Sequence, residues 1–144
     1  GYVGKIVKAN ARPVEAITES GGIPVIAPTA LHLYPAESSE DRILNVNADT
    51  SAGHVAKAVR ADFLVFQTDV EGVLDARRRL IPRMTRSQAM DLIAGGIAAG
   101  GMIPKIEACA DAVSVVGSGH IIDGRRAGAL LACVQGEDIG TRII

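Results

Sequence analysis

The chain has 144 residues, enough for one domain with a real hydrophobic core. Its formal net charge of −1 gives no basic field for nucleic acid or an anionic membrane, and no apolar run approaches the ~20 residues of a membrane span. Hydrophobic residues make up 48% of the chain but aromatics only 3%, so the core is aliphatic, which suits a sheet covered by helices better than a small barrel.

Residues 2–9 alternate as a strand does, with Val3, Ile6 and Val7 as the apolar content. Asn10 is placed to cap a helix in which Pro13 occupies the first turn, Val14 and Ile17 share a face, and Gly21-Gly22 ends the run. The unbroken apolar stretch from Ile23 to Ala27 predicts a buried parallel strand. Two short strand-like runs, Leu31 to Tyr34 and Arg42 to Val46, flank the acidic link Pro35 to Asp41 and predict a hairpin. A helix follows over residues 50–60, burying Ala52, Val55, Ala56 and Val59 and leaving His54 exposed. Phe63 to Phe66 is a second buried strand, Val73 to Asp75 a short extended piece, and Arg77 to Arg79 a solvated basic loop. Thr85 and Gln88 form a capping box for a helix over 85–94 that stops at Gly95-Gly96. Residues 97–101 read as a loop and residues 102–112 as a helix. Val113 to Val116 and His120 to Asp123 predict short strands, residues 127–133 a helix, and Thr141 to Ile144 a final edge strand. Cys109 and Cys133 lack metal-ligand spacing and read as reduced, buried small residues; with no secretory signal visible, a cytoplasmic location is expected.

Two stretches carry candidate chemistry. Asn45, Asn47 and Asp49 stand at alternate positions, so in an extended segment their polar side chains share one face and suit a small polar substrate. The plainer reading is a strand end with Asp49 as the helix cap. Gly100-Gly101-Met102-Ile103-Pro104-Lys105 joins a glycine pair to a helix start, where unpaired N–H groups favour an anion. Lys105 in that first turn opposes the helix dipole unless an anion is nearby, which points to phosphate; a glycine hinge with a solvated lysine is the plainer reading. Neither the GxxxxGK[ST] loop nor GxGxxG is present. Thr68 to Gly72 closes a buried strand, and ligands of open α/β sheets bind beyond such carboxyl ends.

Taken in order, Asn45-Val46-Asn47-Ala48-Asp49, Thr68-Asp69-Val70-Glu71-Gly72-Val73-Leu74, Gly100 to Lys105 and Ile121-Ile122-Asp123-Gly124-Arg125 resemble the carboxyl-terminal half of the acetylglutamate kinases, members of the amino-acid kinase family; Gly140-Thr141 is similar to that family's ending. The resemblance runs from Gly1 to Ile144 and implies transfer of phosphate from ATP, with Mg2+ held mainly by nucleotide phosphates, to the side-chain carboxylate of N-acetyl-L-glutamate. It implies that Asn45 and Asn47 contact the acylated amino acid, that Asp49 holds the catalytic lysines, and that Lys105 neutralises charge on the transferring phosphoryl group. It assigns nucleotide contacts to Thr68, Asp69, Val70, Glu71, Gly72, Val73 and Leu74, to Ile97, Ala98 and Ala99, and to Gly100, Gly101 and Met102; no residue is assigned to a metal.

The family's amino-terminal half supplies a second lysine, glycine-rich loops and an arginine for the substrate carboxylate, and the sequence shows no counterpart of these. The expectation is therefore one domain, the ATP-binding half, poorly active alone. The expected architecture is a three-layer α/β sandwich (αβα) with a mainly parallel central sheet and a protruding β-hairpin. An exposed sheet edge or cleft wall also leaves a homo-oligomer open. The alternatives are a kinase acting on carrier-protein-linked aminoadipate or glutamate, a non-catalytic nucleotide-sensing module, and a ligand-free structural domain.

Overall fold

A computed structural model describes residues 4–32 and 43–144. The elements run α1 (Arg12–Glu19), β1 (Thr29–Leu31), β2 (Ile43–Asn45), α2 (Ala48–Ala58), β3 (Phe63–Thr68), β4 (Arg83–Met84), α3 (Arg86–Ala94), α4 (Met102–Ala112), β5 (Ser118–Asp123), α5 (Ala129–Val134) and β6 (Thr141–Ile143). β3, β5, β6 and β4 form one sheet in that order, parallel at β3–β5 and β6–β4 and antiparallel at β5–β6. The fold is mixed α/β with a mainly parallel sheet, as expected.

Strand alternation builds the three layers. Leu64 and Phe66 of β3 and Ile121 of β5 join Ile106, Ala108, Cys109 and Ala112 of α4 in the main core, with Ala56 of α2 and Ala89 of α3. Val65 and Ile122 point the other way and pack beneath Ala129 and Cys133 of α5. Small residues let α2 and α4 come close: a Cβ added at Gly53 would lie 3.2 Å from the Cβ of Ala108. The helix boundaries follow local signals. Thr85 and Gln88 form the full capping box of α3, and Gly95 and Gly96 end it. α4 matches its predicted span. Among the described residues no helix is long and apolar enough to cross a membrane.

Several expectations are corrected. Residues 4–9 form no strand (Tyr2 and Val3 lie outside the described residues), and neither do residues 23–27: Ile23 is 89% and Val25 95% exposed, and among the described residues no strand lies alongside to receive their backbone bonds and cover their side chains. The helix cap before α1 is Ala11, although Asn10 still accepts the Arg12 N–H at 3.2 Å. Val113 to Val116 is a turn after α4, and β5 instead begins at Ser118, before the predicted start at His120. β6 is not an edge strand: it lies between β5 and β4, because Arg83 and Met84 add a short strand that has no apolar signature of its own. His54 is half-buried rather than exposed. The two arms pair antiparallel, but the first runs Thr29–Leu31 rather than from Leu31 to Tyr34, with Thr29 opposite Asn45 and Leu31 opposite Ile43; Leu33, Tyr34 and Arg42 lie outside the described residues. The acidic link Pro35 to Asp41 lies outside the described residues.

Candidate functional site

The chain leaves β2 at Asn45, stays extended through Asn47, and turns into α2 at Ala48. The cap is Asn47, not Asp49: the Asn47 Oδ1 accepts the Thr50 N–H at 2.9 Å and the Thr50 hydroxyl at 3.1 Å. Asp49 therefore falls in the first helical turn, where a negative charge is favoured by the helix dipole. From there it turns inward, away from the alternating face that an extended chain would have given it. Lys105, in the first turn of α4, donates to Asp49 Oδ1 at 3.0 Å and Oδ2 at 2.9 Å. Both side chains are about four-fifths buried, at 20% and 19% exposure. The anion that the unfavourable helix position of Lys105 calls for is thus partly supplied by the protein itself.

The Lys105 Nζ also lies 5.8 Å from the ring centre of Phe66, two residues before the carboxyl end of β3. Beside it, Gly100 has φ +55°, and a Cβ at Gly100 or Gly101 would meet nothing within 4 Å. Among the described residues no side chain caps α4; contrary to the expected unpaired N–H groups, those of Met102 and Ile103 donate to the Ala99 and Gly100 carbonyls at 3.2 and 3.3 Å, and Pro104 has none, so Lys105 is the main positive group at this end. Ala99, Gly100 and Gly101 are exposed, Met102 is half-buried, Ile97 is exposed, and Ala98 packs into the core.

The carboxyl ends of β3 and β5 lie together, with Thr68 opposite Asp123. The Gly124 N–H donates to the Thr68 carbonyl at 2.9 Å. Asp123 accepts two side-chain bonds from Arg125, at 2.9 and 2.8 Å, and the Arg125 backbone N–H at 3.0 Å. The Arg125 side chain, then its backbone, lower the Asp123 pKa to about 2. Asp123, and more weakly Asp69, raise that of Arg125. Asp69, Val70 and Glu71 are exposed on the loop that follows, Leu74 is half-buried, and Gly72 and Val73 are buried. Two neighbours lie in the quoted motifs but were given no site role: Gly124, packed on Gln67, and Thr141, whose hydroxyl accepts the Val73 N–H.

Asn45 and Asn47 are exposed, and among the described residues no hydrogen bond joins either to Lys105. A separate cavity of about 920 Å3 lies among Val7, Val14, Ile17, Ile26, Leu44 and Val46, and none of the predicted site residues line it. Its walls include the aliphatic stretch that the sequence marks as a buried strand. It holds neither the Asp49–Lys105 pair nor the glycine turn, and the site that does hold them is chemically the better candidate. Among the described residues no three His, Cys, Asp or Glu side chains gather as a cation site.

A family model described as the amino acid kinase family matches residues 1–123, and the chain belongs to that family. Its relatives include an acetylglutamate kinase of Caldanaerobacter subterraneus subsp. tengcongensis, 44% identical over 148 residues, which covers 99% of this chain and 48% of the relative. The chain spans about half the length of the curated relatives it matches. A solved structure from Streptococcus mutans UA159 superposes with a TM-score of 0.79 at 34% identity, over 99% of this chain and 51% of that one. A carbamate kinase from Giardia lamblia bound to AMP-PNP superposes with a TM-score of 0.63 at 25% identity, over 86% of this chain and 38% of that one.

Proposed function

We propose that this chain is the nucleotide-binding part of an acetylglutamate kinase, which uses ATP to phosphorylate the side-chain carboxylate of N-acetyl-L-glutamate. The observation that carries the reading is the Lys105 ammonium, held by Asp49 beside the open, glycine-lined start of α4. In the reaction a carboxylate oxygen attacks the γ-phosphorus, the bond to the β–γ bridging oxygen breaks, and ADP leaves with the negative charge. Little covalent work falls to the protein, so its task is to place charge and dipoles where the transferring group passes. Lys105 offers a full positive charge there, and the amino end of the α4 dipole adds a partial one. Asp49 aims the ammonium without neutralising it completely, since a phosphate can share the remaining hydrogen-bonding directions of Nζ.

Thr68 to Leu74 and Ile97 to Met102 are then the walls for the nucleoside, with Asn45 and Asn47 on the side of the acylated amino acid. Val73 and Ala98 act through backbone and packing, since their side chains lie in the core. Mg2+ enters with ATP as the nucleotide complex, held mainly by the phosphates. A cytoplasmic location belongs to the same reading. The AMP-PNP complex of the Giardia carbamate kinase supports a nucleotide as the ligand, and the identity with acetylglutamate kinases supports the acceptor.

Calorimetric titration with Mg2+ and AMP-PNP tests this reading. Saturable binding that Lys105→Ala weakens about tenfold or more is expected from the loss of a charge-assisted phosphate contact. A folded chain that ignores the nucleotide at millimolar concentration overturns it.

A further inference from the structure

Thr141, at the start of β6, is fully buried, and its hydroxyl is used twice. It accepts the Val73 N–H at 2.8 Å and donates to the Ile81 carbonyl at 2.7 Å. Those groups lie on the two arms of one small hairpin, where the Ile81 N–H also donates to the Val73 carbonyl at 2.8 Å and Leu74 pairs with Leu80. The hydroxyl therefore bolts the hairpin to the central sheet at the point where the Thr68–Gly72 loop ends. The neighbouring glycines allow this approach. A Cβ at Gly72 would lie 2.8 Å from the Thr141 Oγ1 and 3.1 Å from its backbone nitrogen. Gly140, at φ +66°, passes so close to β5 that a Cβ there would run into the Ile121 carbonyl. At its other end the loop is tied by the Gly124 N–H to the Thr68 carbonyl. Asp69, Val70 and Glu71 are left exposed between two fixed points.

We propose that Thr141 is a positioning residue for the nucleotide: through the Val73 N–H its buried hydroxyl holds the loop Thr68 to Val73 in the shape that receives the nucleoside. This rests on the nucleotide reading above. Thr141 touches no reacting atom. Thr141→Val keeps the shape of the side chain but leaves a buried N–H and a carbonyl without this partner, which favours lifting of the loop. Thr141→Ser keeps the hydroxyl and gives up only a methyl group.

The test combines titration with Mg2+ and AMP-PNP and hydrogen exchange at residues 69–81 in the parent chain and both variants. Thr141→Val is expected to weaken binding about tenfold and to speed exchange of the Val73 amide by a similar factor, as for a buried donor losing its partner. Amides of α4 keep their protection, and Thr141→Ser restores both readouts. Parent-like binding by Thr141→Val, or a Thr141→Ser variant as impaired as Thr141→Val, overturns the role of Thr141 alone. Absence of nucleotide binding by the parent chain overturns the nucleotide reading itself, and this role with it.

Discussion

The ammonium of Lys105 is shared almost evenly between the two carboxylate oxygens of Asp49, at 3.0 and 2.9 Å, although the residues stand 56 positions apart. Each occupies the first turn of its own helix, so the dipole of α2 favours Asp49 while that of α4 opposes Lys105. The pair sits mostly out of water, where losing one partner leaves a costly charge. Asp49→Asn is expected to lower the unfolding free energy by about 1–2 kcal/mol, and Lys105→Met by a similar amount. Urea unfolding of the two single variants and the double variant measures the coupling between them. Strictly additive losses would show that the pair is not an energetic unit.

Packing between α4 and β5 fixes how closely that helix lies on the sheet. Gly119 faces Cys109, and a Cβ there would fall 2.7 Å from both the Cβ and the Sγ of Cys109. Gly119→Ala should therefore cost about 1–3 kcal/mol by overpacking. It should also displace the start of α4 and weaken nucleotide binding. Cys109→Ala in the same chain makes room and is expected to recover part of the loss, which thermal unfolding can follow.

His120 is only 6% exposed, with Nε2 2.8 Å from the Ser118 hydroxyl and its ring 5.7 Å from that of Phe63. Burial first, and the charge of Arg142 second, push its pKa below the ordinary 6.5. The unfolded chain therefore binds more protons than the folded one between the two values. This contribution to stability is complete above about pH 7.5 and declines as pH falls through about 6.5, levelling off below the folded value. Denaturation midpoints of the parent chain and His120→Gln between pH 8 and pH 5 check the sign. The decline should shrink in the variant, and an equal decline in both chains would assign it to other groups.

The two free cysteines are both buried, and burial, with the charge of Asp49 second, pushes the Cys109 thiol up to about 12. A thiol reagent at pH 8 should label Cys109 only as fast as the main core opens. Cys133, on the buried face of α5, is also raised by burial, and that short helix should open more readily. Mass spectrometry of peptides after timed labelling distinguishes them, and rapid labelling of Cys109 in the native chain contradicts the packing described here.

What could be read from sequence alone was whatever neighbours in the chain decide. Thr85 and Gln88 satisfy one another's backbone groups across a single turn, Gly95-Gly96 ends the same helix, and α4 repeats its apolar positions over three turns. The four ordered motifs likewise pointed to the amino acid kinase family before any geometry was known. The tertiary structure decided whatever depends on a distant partner. Ile23 to Ala27 has the composition of a core strand, but a strand exists only where another backbone lies alongside. Thr141 to Ile144 reads as an edge, yet its strand, Thr141–Ile143, becomes interior once Arg83 and Met84 pair with it. Asp49 looked like a cap because caps favour that residue type; Asn47 took the cap, and Asp49 was released to meet Lys105. Hydrogen bonding and hydrophobic period are local and leave a signature in the chain, whereas the choice between two possible partners is settled only by which of them the completed core brings within about 3 Å.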